Sequence, residues 1–406
     1  MKVLTLTHVF PRSREDTVAP FLWNFQQALV ENGIEAIVCA PHNKGLPLKE
    51  NYPGYRVERF RYAAENMEIL AYRGQMHELV FKNFLNKLIF AQYMVCGFVK
   101  LCSLLKREKP DLVHVHWWVP SGIIMYAASL LFKTPFIITT HGTDVFIVRK
   151  FKFLKSIMKR IFGKAGRIHV ISTYLSDYLT ENLKIDKNKI DIISMPVRED
   201  KIPLQAPGFR DGTKLLFVGR LIKRKGVDVL LKSLELLPES YQLTIVGVGP
   251  EEQNLKKLCS DKKLNSRVNF LPNVSPDELP SVFNQSEIFI LPSLTDWKGE
   301  KEGLGMVLLE AQRMGLALIA SKSGGMTDIV IHNETGLLFE EGDFLGLAEN
   351  IKRYSDREFF EKMVIGAQSH YEKNYAQQTI AKKTVVSYNL ARQKLPAVSQ
   401  NPSTTH

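Results

Sequence analysis

Leu215-Leu216-Phe217-Val218-Gly219-Arg220-Leu221, followed by Lys223-Arg224-Lys225-Gly226, reads as one strand, one tight turn and the start of one helix. The apolar run is short and unbroken, as expected for a strand covered on both faces, and Gly219 lets the chain turn as it leaves the sheet. The same unit recurs along the chain. Upstream, strands are predicted at Val3–Thr7, Ala36–Cys39, Leu112–His116, Phe136–Thr140, Ile168–Ile171 and Ile190–Ile193, with helical patterns such as Phe21–Glu31 and Leu79–Lys106 between them. Downstream they are predicted at Leu243–Val246, Val268–Leu271, Ile288–Leu291 and Leu318–Ala320. Strand–helix alternation of this kind predicts an α/β fold of parallel sheets with helices on both faces. A chain of 406 residues is too long for one core, which rarely grows past ~250–300 residues. Pro203-Leu204-Gln205-Ala206-Pro207-Gly208 has the composition of a linker. The expected division is therefore residues 1–198, 199–375, a closing helix over 376–394 that packs back on the first domain, and a disordered tail over 395–406. Two such sheets facing each other place a ligand cleft at the carboxyl ends of their strands.

The net charge of +12 lies wholly in the first half: residues 1–198 hold 28 Lys and Arg against 16 Asp and Glu, and the remainder holds 26 of each. That asymmetry points to an anionic partner surface, nucleic acid or membrane. Cys39, Cys96, Cys102 and Cys259 form no C-x-x-C pair and read as reduced, buried residues of a cytosolic chain. The N-terminus lacks the pattern of a signal peptide, since Pro11-Arg12-Ser13-Arg14-Glu15-Asp16 follows a short apolar run with no small-residue cleavage site. The longest uncharged stretch considered, Leu88–Val99, falls short of the ~20 residues that span a bilayer.

Two constellations carry chemistry. At the end of the opening strand, Arg220 and Lys225 stand five residues apart, a planar fork and a mobile point charge suited to phosphate oxygens. A solvated basic loop has the same composition, and Lys223 and Arg224 fit that description. The second is Glu302-Gly303-Leu304-Gly305-Met306-Val307-Leu308-Leu309-Glu310-Ala311, a Gly-rich turn that opens an apolar helix whose N-terminus can face an anion. Glu302 precedes the turn, where a carboxylate can accept from sugar hydroxyls. Glu310 stands in apolar surroundings, where a carboxylate is costly unless paired, and a ribose diol would pair it. A first-turn acid and an internal salt bridge would account for the same two residues.

Together with Ile245-Val246-Gly247-Val248-Gly249-Pro250, Leu291-Pro292-Ser293, Gly324-Gly325 and Thr335-Gly336-Leu337-Leu338, these pieces make the run from Lys214 to Asp343 resemble the catalytic domain of the family 4 retaining glycosyltransferases. The spaced glutamates are that family's E-x7-E motif. The resemblance implies the GT-B architecture, two Rossmann-like domains with the acceptor side first and the nucleotide-sugar side second. It implies that Gly219, Arg220 and Lys225 bind the donor diphosphate, that Glu302 and the backbone of Gly303, Leu304, Gly305, Met306 and Val307 hold the sugar and phosphate, that Glu310 binds the ribose, and that Leu271 and Asn273 flank the base. In the first half, Phe136–Thr140 runs into His141-Gly142-Thr143-Asp144, and the family places a histidine here near the reacting carbon, so His141 is the candidate. The aromatics of His114-Val115-His116-Trp117-Trp118 are expected to pack the cleft wall. One departure stands out: many relatives have a Gly-Gly pair after the first strand, where this chain has Asp16-Thr17-Val18-Ala19-Pro20-Phe21.

The resemblance further implies a UDP- or GDP-sugar donor, no cofactor and no metal. There is no D-x-D pair and no His, Cys and Asp cluster at ligand spacing. A nucleotide-sugar epimerase and a non-catalytic sugar-nucleotide or nucleic-acid binder are the rival readings, although no nucleic-acid motif occurs. The acceptor is expected to be a glycan or a lipid-linked acceptor, and the protein is expected in the cytoplasm, associated with the inner face of the cell membrane. Val145 to Ser176 contains no acidic residue, and its Lys and Arg alternate with apolar residues as in a basic helix with an apolar stripe. Peripheral contact with an anionic membrane is the expectation drawn from it.

Overall fold

A computed structural model describes residues 1–16, 18–72 and 76–393; the expected tail over 395–406 lies outside them. The first domain builds a sheet from β1 (Lys2–Leu6), β2 (Glu35–Pro41), β3 (Lys49–Tyr52), β4 (Tyr55–Phe60), β5 (Leu112–His116), β6 (Phe136–Thr140), β7 (Arg167–Val170) and β8 (Ile190–Ile192), in the order β3-β4-β2-β1-β5-β6-β7-β8. All neighbours are parallel except β3 and β4. The second sheet contains β9 (Lys214–Val218), β10 (Gln242–Val246), β11 (Val268–Leu271), β12 (Ile288–Leu291), β13 (Ala317–Ser321) and β14 (Leu337–Phe339), all parallel in the order β11-β10-β9-β12-β13-β14. The chain is thus α/β with two parallel-sheet domains.

Each sheet has a point where the winding reverses, between β1 and β5 in the first and between β9 and β12 in the second. Ligands of open α/β sheets bind in the crevice at that point, beyond the carboxyl ends of the strands. Those ends carry His8 and Trp117 in the first domain and Gly219-Arg220 and Pro292-Ser293 in the second.

One core gathers residues from Val3 to Met195 together with Ile380, Ala381, Tyr388 and Ala391; the other runs from Val197 to Ala376. The helix Gln377–Gln393 therefore belongs to the first domain. It packs on α1 (Phe21–Glu31), and Tyr388 Oη lies 2.7 Å from His114 Nδ1.

Several elements differ from the sequence reading. The β3–β4 hairpin was not anticipated, because Arg56, Glu58 and Arg59 interrupt the apolar pattern of β4; Lys100 meets the buried Glu58 (2.8 Å) and Glu50 meets Arg59 (2.9 Å). β14, three residues long, was also missed. The predicted helix Leu79–Lys106 is two helices, α2 (Met76–Lys82) and α3 (Phe84–Glu108), divided at Asn83, whose extended backbone (φ −155°) and side chain cap the Asn86 N–H (2.7 Å). Once extended to Glu108, α3 is long and apolar enough to cross a membrane, contrary to the shorter stretch read from sequence. The basic segment is likewise not one helix: after α4 (Ile123–Ala128) and β6 come α5 (Thr143–Lys150) and α6 (Leu154–Lys164), with Phe151 leaving the helical region (φ −124°, ψ 86°). Cys39 and Cys259 are buried, whereas Cys96 and Cys102 are only half-buried; all four are free.

Candidate functional site

Charged side chains collect where β9 and β12 part. Gly219 N–H donates to Val246 O (2.9 Å), and a Cβ on Gly247, which has φ 136°, would lie 2.0 Å from Gly219 O. Two glycines thus allow the strand ends to approach closely. Arg220 follows, exposed, with no hydrogen-bond or ion-pair partner for its guanidinium among the described residues. Lys225 is folded back by the turn Lys223–Lys225, and its Nζ lies 2.5 Å from Glu302 Oε2. Gly226 (φ 65°) lets this turn press on the loop after β12: a Cβ there would be 1.9 Å from Pro292 O. Ser293 Oγ also donates to Glu302 Oε2 (3.4 Å). Burial raises the Glu302 carboxyl, but Lys225, Arg224 and Ser293 outweigh it and hold the group below the usual carboxylate range. Glu302 is an anion at neutral pH. Arg224 turns instead to Glu300 (3.5 Å).

The backbone around Glu302 is held by the glycine pair. Gly325 N–H donates to Glu302 O (3.0 Å), and Cβ atoms on Gly324 and Gly325 would lie 2.0 Å from Glu302 O and 2.2 Å from Gly303 O. Gly305 (φ 86°) then starts the helix Met306–Arg313, whose first N–H groups have no partner within the helix. Gly303, Leu304, Gly305, Met306 and Val307 therefore form one turn beside Glu302. Leu271 closes β11 and accepts from Gly247 N–H (3.1 Å). With Asn273, exposed two residues later, it lies two strands from β9, about 10 Å away by strand spacing. Neither shares a hydrogen bond with Arg220, Lys225 or Glu302 among the described residues.

Glu310 is half-buried with no ion-pair partner among the described residues, and burial pushes its carboxyl up to about 7. The folded chain binds this proton more tightly than an unfolded one. Stability is therefore full below the ordinary carboxylate pKa near 4.5 and falls as pH rises through about 7. Glu310→Gln should unfold at a higher temperature than the wild type at pH 8, by about 1–3 kcal/mol of stability, and at the same temperature at pH 4. Thermal unfolding at the two pH values checks this; equal stabilisation at both would mean that the carboxyl is not strained.

The first domain brings His141 to the edge of β6. Its N–H donates to Asp144 Oδ1 (3.0 Å), its Nε2 lies 3.2 Å from His116 Nδ1, and its ring stacks on Trp117 at 4.1 Å. Burial, with a smaller contribution from His8, lowers it to about 3, so the imidazole is neutral. Asp144 Oδ2 also accepts from Trp118 N–H (3.2 Å), and burial pushes this carboxyl up to about 6. Trp117 forms the wall against His141, whereas Trp118 is wholly buried behind it. Where a Gly-Gly pair would stand, Ala19 adopts φ 53°, a left-handed conformation that favours glycine, and Pro20 leads into α1. Phe21, at the start of α1, places its ring 5.3 Å from that of His141.

The two edges meet. Thr173 N–H, from the segment after β7, donates to Asp328 Oδ2 (2.6 Å), and a Cβ on Gly325 would lie 2.7 Å from Ser172 Cβ. Since β7 adjoins β6, His141 and Glu302 border one cleft. The sequence reading missed Ser172, Asp328, His116 and the clamp by Asp144. Only the last had a signal, an Asp three residues beyond the strand-end His. No group of three His, Cys, Asp or Glu among the described residues is arranged to hold a metal ion.

Comparison with known proteins gives two family matches that abut: "Glycosyltransferase Family 4" over residues 18–201 and "Glycosyl transferases group 1" over residues 201–376. Among relatives, the chain is 39% identical over 261 residues to a GDP-mannose-dependent alpha-(1-6)-phosphatidylinositol monomannoside mannosyltransferase of Mycobacterium tuberculosis, covering 60% of this chain and 66% of that one. It is 26% identical to N-acetyl-alpha-D-glucosaminyl L-malate synthase of Bacillus anthracis, over 72% and 78% of the two chains. Among solved structures, Anabaena HepE in complex with UDP shares the fold with a TM-score of 0.71 at 16% identity, over 96% of this chain and 100% of that one.

Proposed function

The chain belongs to the group 1 and family 4 glycosyltransferases, and from that premise we propose that it moves a sugar from a UDP- or GDP-linked donor to a hydroxyl of a glycan or lipid-linked acceptor, with retention at the anomeric carbon. The observation that carries this is the set of charges where β9 and β12 part: the Lys225–Glu302 pair, with Arg220 and Glu310, whose side chains have no ion-pair partner among the described residues. Arg220 and Lys225 suit a diphosphate, Glu302 the sugar hydroxyls and Glu310 the ribose diol. The UDP in the HepE structure and the GDP-mannose in the mycobacterial protein's name agree with a nucleoside diphosphate donor.

Catalysis is electrostatic in this reading. As the bond from anomeric carbon to phosphate oxygen breaks, negative charge grows on the leaving diphosphate. The two cations and the N–H groups that open the helix Met306–Arg313 meet that charge without reorganising. The acceptor oxygen attacks from the face the diphosphate leaves, and its proton passes to the departing phosphate oxygen, so no side-chain base is required. Neutral His141, fixed by Asp144, borders the sugar opposite Glu302. Transfer is expected to persist in excess chelator. Loss of activity on chelation with rescue by manganese would overturn the metal-free reading.

A further inference from the structure

The exposed apolar surface of the first domain is concentrated along one helix. α3 packs inward through Ile89, Tyr93, Gly97 and Leu101, while Phe84, Leu88, Val95 and Val99 on the opposite side are each at least half exposed. Their spacings of four, seven and four residues put them on one face. They form a ridge roughly 22 Å long at 1.5 Å rise per residue. At its near end the exposed Phe81 of α2 stacks on Phe151 (5.1 Å), which meets the exposed Phe153 (6.2 Å).

Apart from Glu78 in the first turn of α2 and the paired Glu108 that closes α3, the charges on these segments are positive. No acidic residue occurs from Leu79 to Arg107 or from Val145 to Ser176. Lys87, Lys152, Lys155, Lys159 and Arg160 are exposed and have no ion-pair partner among the described residues. An apolar ridge flanked predominantly by cations matches a surface with anionic headgroups over acyl chains, and it matches neither water nor an acidic protein face alone.

We propose that this ridge docks in an anionic lipid bilayer, with Phe81, Phe84, Leu88 and Phe153 entering the acyl boundary while the cations of α6 and the turn before it meet lipid phosphates. Although α3 is long and apolar enough to cross a membrane, its inner face belongs to the domain core, so it lies on the bilayer rather than through it. The aromatic end of the ridge adjoins the cleft: α5 begins beside His141, and Arg149 near its end donates to Lys298 O of the second domain (3.2 Å). An amphiphile anchored in that bilayer would present its headgroup hydroxyl at the cleft. This consequence rests on the transferase reading, whereas the docking does not.

Sedimentation with vesicles tests the docking without any substrate. The full chain should pellet with mixed phosphatidylglycerol–phosphatidylcholine vesicles and not with phosphatidylcholine alone. Lys152→Ser, Lys155→Ser and Lys159→Ser together should weaken binding by roughly fivefold for each charge. Phe81→Ser, Phe84→Ser and Leu88→Ser together should weaken it at least about tenfold while circular dichroism shows the fold retained, since all three are at least half exposed. A Phe84→Trp variant should gain fluorescence that brominated acyl chains quench. Equal pelleting with neutral vesicles, binding that the serines leave intact, or no binding at all would overturn the proposal. So would a lipid-free dimer that the serines dissociate, which would assign the ridge to a second copy of the chain. Vesicle binding by a protein that releases no nucleotide from any nucleotide-sugar would leave the docking standing and remove the transferase reading instead.

Discussion

Arg220→Ala is expected to lose about 10²–10³ in turnover while folding as the wild type does. The fold is spared because the exposed guanidinium has no partner among the described residues to leave unsatisfied. The loss is large because a cation aimed at charge that develops on the leaving diphosphate acts in the transition state, where removal of one such contact costs roughly 2.7–4 kcal/mol. Lys223→Ala and Arg224→Ala are the controls on the same turn: Lys223 is exposed and Arg224 faces Glu300, so both should stay near wild-type turnover. Steady-state rates at saturating donor, with circular dichroism to confirm folding, decide it. Near-wild-type turnover for Arg220→Ala would mean that the diphosphate lies elsewhere.

Glu302→Gln should be comparably damaging for a different reason. The substitution keeps length and a carbonyl acceptor, so the hydrogen bond to Lys225 can persist, but the negative charge is lost. Lys225 then stays unneutralised, and the sugar loses a charge-assisted acceptor, the stronger kind. A drop of about 10²–10³ in turnover with a melting temperature within a few degrees of wild type is the expected result. A variant that unfolds would assign Glu302 a structural role, as partner of Lys225 alone.

Four strands were legible in the sequence to the residue: Leu112–His116, Phe136–Thr140, Val268–Leu271 and Ile288–Leu291 coincide with β5, β6, β11 and β12. β5, β6 and β12 are buried along their whole length, so short β-rich runs sufficed there, whereas the edge strand β11 shows its pattern through Val268, Phe270 and Leu271 around the exposed Asn269. β4 was hidden, since a strand that seats Glu58 and Arg59 against cations and acids of other elements has no apolar signature. The division of α2 from α3 depends on a single capping Asn83, which a helical pattern passes over. In the site, the motif glycines signalled where backbones must approach, and the structure gives each a reason: Gly226 against Pro292, Gly247 against Gly219, Gly324 against Glu302. What sequence spacing cannot carry is the meeting of distant segments. Ser172 and Asp328, over a hundred residues from their partners, bring the two edges together only once both sheets have formed.

Anomeric configuration is the most direct test of the central claim. The protein is incubated with a panel of UDP- and GDP-sugars, nucleoside diphosphate release identifies the donor, and proton NMR follows the sugar from the first turnover. The account predicts diphosphate formed in equal amount to transferred or hydrolysed sugar, with the first-formed product in the anomeric configuration of the donor. An inverted product would contradict retention. An epimerised nucleotide-sugar, or tight binding with no diphosphate released, would contradict transfer itself.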